Sequence, residues 1–263
     1  MDTTFLLGGE RNSTPGRDAS TAGGLHEKWA ERTILATERR MIHMTRTKLC
    51  DRTLPSYSRA EEYFNMITHI LGAALGVAVL LACLLRSLGN AWDVTGSIIY
   101  GLSFIQLYAI SSIYHGLRPG MAKRVMQVLD HCTIYLFIAG SYTPVMLTAL
   151  RPVHPGWAWS ILGLVWGIAI LAIVLNAIDL KSFAAFSMVC YIGMGWCVIL
   201  GIKPVMEVVP ARNLWLLVWG GVAYTVGAVL YGLGKKRRWM HGVFHVFCLI
   251  GSLLQAMCIY GIY

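Results

Sequence analysis

Long apolar stretches dominate the chain after residue 62, and short polar breaks separate them. A helix needs roughly 20 apolar residues to cross a hydrocarbon core of ~30 Å. The breaks contain residues that end helices, such as Gly89-Asn90, Arg118-Pro119-Gly120 and Lys203-Pro204. The pattern predicts seven membrane-spanning helices, at about residues 63–86, 92–117, 123–150, 157–178, 182–201, 212–233 and 240–262. The expected fold class is therefore all-α, a seven-transmembrane-helix bundle.

The first 58 residues have a different character. They are polar, rich in Gly, Ser, Thr and Arg, and without a continuous apolar periodicity, apart from a candidate short helix near residues 27–44. We predict a flexible polar tail over residues 1–58 and a membrane domain over residues 59–263.

The composition and charge of the chain are typical of an integral membrane protein. The chain is 56% hydrophobic and 13% charged, whereas a soluble domain is roughly a quarter charged. Residues 1–62 contain ten Lys/Arg and nine Asp/Glu, and residues 63–263 contain twelve and four. The net charge of +9 lies mainly in short loops, where it sets orientation in the bilayer rather than binding nucleic acid. We therefore expect a lipid bilayer as partner and no nucleic acid.

The positive charges of the loops also predict the orientation. The loops on the tail's side of the membrane contain eight Lys/Arg, and those on the other side contain four. Because cytoplasmic loops carry the excess of Lys/Arg, the N-terminus is expected in the cytoplasm and the C-terminus outside, in a multi-pass protein of the plasma membrane. The eight residues are Arg118, Lys123, Arg124, Lys181, Lys235, Lys236, Arg237 and Arg238.

Ionisable side chains are rare within the predicted helices, and each costs free energy in lipid, so each is a candidate functional residue. His241 and His245 are spaced i, i+4, which places both imidazoles on one face of the seventh helix, where they can converge on a metal ion. The topology brings His115, at the end of the second helix, and Asp130, early in the third, to the same cytoplasmic level. Four candidate residues from three segments thus meet at one depth.

Three neutral imidazoles with an open position suit zinc, which lowers the pKa of a bound water toward ~7. Asp130 could orient that water or act as its general base, and Ser111, one turn before His115, could donate a hydrogen bond to the same group. Iron or nickel could occupy the same ligands. The alternative is that the His241/His245 pair packs or bonds backbone carbonyls without any metal.

Other unusual residues have simpler interpretations. His69, on the first helix, is expected to join a hydrogen-bond network between helices. His131 points about 100° away from Asp130 on an ideal helix. Six small residues are expected to allow close helix packing, namely Gly72, Gly76, Gly163, Gly167, Gly193 and Gly195.

Several motifs occur in order along residues 58–263, namely Asn65-x-x-Thr68-His69, Ser111-Ser-Ile-Tyr-His115, Leu129-Asp130-His131, Gly140-Ser-Tyr-Thr-Pro144, Gly195-Trp196 and His241-x-x-x-His245. Together they resemble the bacterial hemolysin III family. The family is similar to the progestin and adipoQ receptors and, more distantly, to the alkaline ceramidases. The resemblance implies a zinc ion near the cytoplasmic side, held by His115, His241 and His245, with Asp130 and Ser111 as the motif aspartate and serine.

Three functions are compatible with these observations. The first is a zinc-dependent membrane hydrolase of lipid amide or ester bonds, in which Asp130 moves protons. The second is a cytolytic or pore-forming protein, as the family's name implies, and the third is a receptor or sensor with a structural zinc. An open coordination position and a cavity that reaches lipid would favour the hydrolase, a continuous polar channel the pore, and a closed metal site the receptor.

Overall fold

A computed structural model of the chain describes residues 47–234 and 237–263. Within these ranges seven helices are long and apolar enough to span a membrane, and there is no strand. The all-α seven-helix fold is confirmed, and the chain is a multi-pass membrane protein. The candidate helix near residues 27–44, the rest of the tail up to residue 46, and Lys235 and Lys236 lie outside the described residues. The orientation of the termini stays a prediction.

The helices are α1 (Arg59–Ser87), α2 (Ala91–Gly116), α3 (Met121–Leu150), α4 (Pro155–Asp179), α5 (Ala184–Val208), α6 (Ala211–Gly234) and α7 (Met240–Tyr260).

Helices that follow one another in sequence mostly pack together, and α7 returns to pack on α1, which closes the bundle. Of the seven, α3 has the largest buried share, so it lies at the centre. Beside it, α2 contributes three of the largest fully buried side chains, Tyr100, Phe104 and Tyr108. We call the end where α1, α3, α5 and α7 begin the N-terminal end of the bundle.

The start of α1 is fixed by a capping box, which places it earlier than the apolar pattern predicted. The Ser58 hydroxyl accepts a hydrogen bond from the Glu61 backbone N–H, and the Glu61 carboxylate accepts one from the Ser58 N–H, at 3.3 and 2.9 Å. Glu61 also accepts a bond of 2.7 Å from the backbone N–H of Trp239. Trp239 precedes α7 and has a left-handed φ of 66°. One carboxylate therefore ties the start of α1 to the start of α7.

The fifth span is longer than predicted, because Lys203-Pro204 does not end it. The span consists of an α-helix at Ala184–Gly195, a 3-10 turn at Cys197–Gly201 and a second α-helix at Ile202–Val208. Proline is tolerated in the first turn of a helix, where its missing N–H would have no intrahelical partner. The 3-10 turn makes Ile202 a new helix start, and Pro204 then lies in that first turn.

Close packing explains only some of the glycines. A Cβ atom on Gly72 would overlap the ring of Tyr108, and one on Gly76 would lie 2.8 Å from Cδ1 of Phe104. These two glycines let α1 approach α2. The same expectation was wrong for four others, since an added Cβ meets nothing within 4 Å at Gly163, Gly167, Gly193 and Gly195. Those four lie on exposed faces of α4 and α5.

This contrast gives a test of the packing of α1 on α2. Gly76→Ala is expected to destabilise the bundle by about 1–3 kcal/mol, the usual range for overpacking, because the new methyl also meets the Ile105 backbone nitrogen at 3.2 Å. Gly163→Ala, in open space, is expected to be neutral or slightly stabilising, since alanine favours helix. Thermal unfolding in detergent measures both. Equal shifts in Tm for the two variants would contradict this account.

Candidate metal centre

Three imidazoles from two helices face one another at the N-terminal end of the bundle. Nε2 of His241 lies 3.2 Å from Nε2 of His115 and 3.0 Å from Nε2 of His245. His115 and His245 are each 2% exposed, and His241 is partly exposed. One nitrogen from each residue falls within a cluster 4.8 Å across. The structure therefore brings together the three histidines that the sequence analysis selected, as a candidate three-histidine site.

Helix geometry explains this convergence. His241 and His245 are one turn apart on the same face of α7, and the start of that helix is held by the bond from Trp239 to Glu61. His115 is the second-last residue of α2, so its side chain lies at the same end of the bundle.

A carboxylate that the sequence analysis did not select sets the tautomer of His115. Oε2 of Glu62 lies 2.7 Å from Nδ1 of His115, and Oε1 lies 2.7 Å from Nζ of Lys123. When Nδ1–H donates to the carboxylate, the lone pair of the imidazole is on Nε2, which faces the other two histidines. Carboxylate partners of this kind are typical of histidines that bind metal.

Lys123 has a different role from the one its sequence position indicated. It was counted with the loop charges that set orientation, but it is only 3% exposed. Its ammonium also donates a 3.0 Å hydrogen bond to the carbonyl of Leu117. Lys123 thus neutralises Glu62 and ties the start of α3 to the end of α2. Without Lys123, the loops on the tail's side still contain seven Lys/Arg and those on the other side four, so the predicted orientation is unchanged.

Aromatic rings surround the site on its outer side. The ring of Tyr57 stacks on His241, with centroids 5.0 Å apart and planes at 11°. Tyr231 lies 5.3 Å from His241, and Tyr114 lies 4.7 Å from His115. Burial raises the pKa of the Tyr57 phenol, which also interacts with the Tyr231 hydroxyl. The phenol therefore stays protonated at neutral pH, and the rings shield the imidazoles from water.

On the inner side, His69 contacts the site through its ring face. It stacks on His245 with centroids 3.6 Å apart and planes at 13°, and the ring of Tyr108 meets it edge-on at 4.8 Å. Both ring nitrogens of His69 are buried without a hydrogen-bond partner in the described part of the chain. The expectation that His69 hydrogen-bonds between helices was therefore wrong. Its packing against His245 limits how that imidazole can turn.

Neither Asp130 nor Ser111 makes a hydrogen bond to the three imidazoles in the described part of the chain. Asp130 is 8% exposed and Ser111 2%. Neither belongs to the three-histidine cluster. The carboxylate of Asp130 interacts electrostatically with Tyr114 and Tyr231, whose rings contact the site. Among the described residues, Nδ1 of His131 lies 3.7 Å from Oδ2 of Asp130. The catalytic roles of Asp130 and Ser111 stay predictions.

An apolar cavity of about 310 Å³ lies between α3, α5, α6 and α7. Its lining includes Tyr142, Trp196 and Gln255, and it lies toward the other end of the bundle. None of its lining residues belongs to the candidate site. This cavity is therefore separate from the histidines.

Comparison with known proteins shows which family the chain belongs to. The family model described as "Haemolysin-III related" matches residues 57–256. The chain is 36% identical over 202 residues to Hemolysin-3 of Bacillus cereus, covering 76% of this chain and 90% of the relative. It is 33% identical over 201 residues to the Hemolysin-3 homolog of Bacillus subtilis (strain 168), covering 76% and 92%. It is also 24% identical over 214 residues to the human monocyte to macrophage differentiation factor, covering 76% and 83%. The seven-helix chain with its three converging histidines thus belongs to the haemolysin-III related family.

Proposed function

We propose that this chain is a zinc-dependent membrane hydrolase that cleaves an amide or ester bond of a lipid. The observation that carries the proposal is the convergence of three imidazole Nε2 atoms, 3.0 and 3.2 Å apart in two of the pairs. Without a metal, nitrogens this close need a proton between them. Each neutral imidazole has one lone pair, and a proton on Nε2 of His241 can form a hydrogen bond to only one of its two neighbours, so the nitrogens of the other pair would repel each other.

The residues fit a zinc ion. Nitrogens that share a tetrahedral zinc at ~2.0–2.1 Å are about 3.3 Å apart, close to the observed separations. The Glu62 carboxylate leaves the lone pair of His115 on the nitrogen that faces the cluster. No other Cys, Asp or Glu of the described ranges joins the three histidines in the cluster, which leaves a fourth position for water or substrate.

Each residue has a role in the proposed reaction. Bound zinc would polarise a carbonyl and make water a stronger nucleophile. Asp130 would accept a proton from water and return it to the leaving group. Ser111 would donate a hydrogen bond to the reacting group. His69, stacked on His245, would keep that imidazole in place.

The location of the site supports a lipid substrate. The three histidines lie in spanning helices α2 and α7, near the helix ends at one membrane surface. The carbonyl of a lipid amide or ester lies at this depth, between the headgroup and the acyl chains. A substrate held in the bilayer can therefore present its carbonyl without leaving the membrane.

The second candidate is a cytolytic protein, because the relative from Bacillus cereus is named Hemolysin-3. A pore through one chain would need a polar path along the bundle. Inward from the histidines, Tyr108 bonds to Ser252 at 2.7 Å, but the buried rings of Tyr100, Phe104 and Phe137 pack together beyond it. This aromatic packing favours the hydrolase over a pore within one chain.

The test is elemental analysis of detergent-purified protein, together with a screen of ceramide-like amides and phospholipids for hydrolysis. The wild type is expected to hold about one zinc per chain and to hydrolyse one of these lipid classes. The His241→Ala, His245→Ala double variant is expected to lose both properties, whereas His154→Ala, at the opposite end of the bundle, keeps both. Bound zinc without hydrolysis of any lipid would favour the hypothesis of a receptor or sensor with a structural zinc. Absence of metal from the wild type would refute the proposal.

A further inference from the structure

The chain before α1 is held against the N-terminal end of the bundle over residues 47–58, a segment that we call the strap. The backbone N–H of Thr47 donates a 2.8 Å hydrogen bond to Asp179, the last residue of α4. Nε of Arg124, in the first turn of α3, donates a 3.1 Å bond to the carbonyl of Arg52. The strap ends at Ser58, in the capping box of α1. It therefore crosses from α4 over α3 to α1.

Tyr57 is the strap residue that meets the candidate site. Its ring lies parallel to His241 at 5.0 Å between centroids and also lies 6.0 Å from His115. His241 is the only one of the three histidines that is not fully buried. Tyr57 precedes the first spanning helix and covers one face of the His241 ring. Pro55 and Ser56, which precede Tyr57 in the strap, are exposed.

We propose that Tyr57 covers the three-histidine site on its aqueous side and is a positioning residue for His241. A ring held parallel to the imidazole limits its rotation about χ2, which keeps Nε2 directed at His115 and His245. Movement of the strap would therefore open the site further to a metal ion or a water-soluble chelator. The metal-dependent part of this inference rests on the proposed function.

The first measurement is the rate at which zinc-loaded protein loses its metal to excess EDTA, followed with a chromogenic zinc indicator. Tyr57→Ala is expected to speed release by at least about threefold, since it removes an aromatic stack of ordinary strength. Tyr57→Phe keeps the ring and is expected to stay within about twofold of the wild type. The matched control is Tyr63→Ala, because Tyr63 is 61% exposed on α1.

A second measurement needs no metal. In metal-free protein, diethyl pyrocarbonate should modify His241 faster in Tyr57→Ala than in the wild type or Tyr57→Phe, as read by mass spectrometry of the peptide. Asp179→Ala removes the acceptor for the Thr47 N–H and so loosens the strap without changing the Tyr57 ring. Its rate of His241 modification should fall between those of the wild type and Tyr57→Ala.

The two measurements distinguish a failure of the proposed role of Tyr57 from a failure of the proposed hydrolase function. If the wild type holds no zinc, the hydrolase proposal fails, and the modification rates alone decide the role of Tyr57. Equal modification of His241 in the wild type and in Tyr57→Ala would overturn the cover, as would unchanged zinc release. Equal acceleration by Tyr57→Phe would also overturn it, because the hydroxyl rather than the stacked ring would then be responsible. Melting temperatures of all variants show that each is folded.

Discussion

Replacing Asp130 by Asn is expected to lower the rate of lipid hydrolysis by about 100- to 10,000-fold, the usual contribution of a general base, while zinc content stays at the wild-type level. The carboxylate is buried and has no hydrogen-bond donor of its own among the described side chains, so it is available to take a proton. Asn has nearly the same shape but cannot accept one. Because Asp130 is outside the three-histidine cluster, its loss leaves the metal ligands unchanged.

The measurements are hydrolysis of the most active lipid substrate and elemental analysis of the same preparation. Asp93→Asn is the matched control, since it makes the same chemical change in the first turn of α2, at the opposite end of the bundle. A variant with normal zinc and undiminished hydrolysis would show that Asp130 is not the base. Loss of zinc together with activity would instead place Asp130 among the groups that hold the metal.

The fold could be predicted from sequence because a membrane imposes a length on each helix. Seven apolar stretches of sufficient length require seven spans, whatever their partners are. The ends of the spans depend on local hydrogen bonds and were predicted less well. The capping box of Ser58 and Glu61 begins α1 at Arg59, earlier than predicted. A 3-10 turn allows α5 to continue past Pro204, beyond its predicted end.

The three histidines could be predicted because their separation follows from helix periodicity and from the alternation of spans. The groups that support them could not be found in this way. Glu62 was only counted among the nine acidic residues before residue 63, although an acid beside the first apolar residue of a span was a usable signal. Tyr57 gave no such signal, because its stack on His241 depends on the path of the strap.

The glycines and His69 show the limit of reasoning from residue type. Gly72 and Gly163 both lie in apolar helices, yet only Gly72 faces a neighbouring helix closely. His69 was expected to use its nitrogens, whereas the ring face makes the contact with His245. In both cases the decisive fact is which helix face meets another helix, and that is a tertiary property.

Replacing Glu62 by Gln is expected to weaken zinc binding by about 10- to 100-fold, the usual effect of losing a carboxylate behind a metal-binding histidine. The amide oxygen can still accept from Nδ1 of His115, but it lacks the charge that makes Nε2 a stronger donor to the metal. Competition with a chelator of known affinity gives the zinc Kd. Glu207→Gln is the matched control, because its carboxylate pairs with His154 at the opposite end of the bundle, at 2.7 Å.

Glu62→Gln also leaves the buried ammonium of Lys123 without its carboxylate, which by itself destabilises the bundle. Adding Lys123→Met removes that charge and separates the two effects. The double variant is expected to regain thermal stability while its zinc affinity stays low. If affinity returned with stability, Glu62 would act only by neutralising Lys123. If Glu207→Gln weakened zinc binding as much as Glu62→Gln, the hydrogen bond to His115 would have no special part in holding the metal.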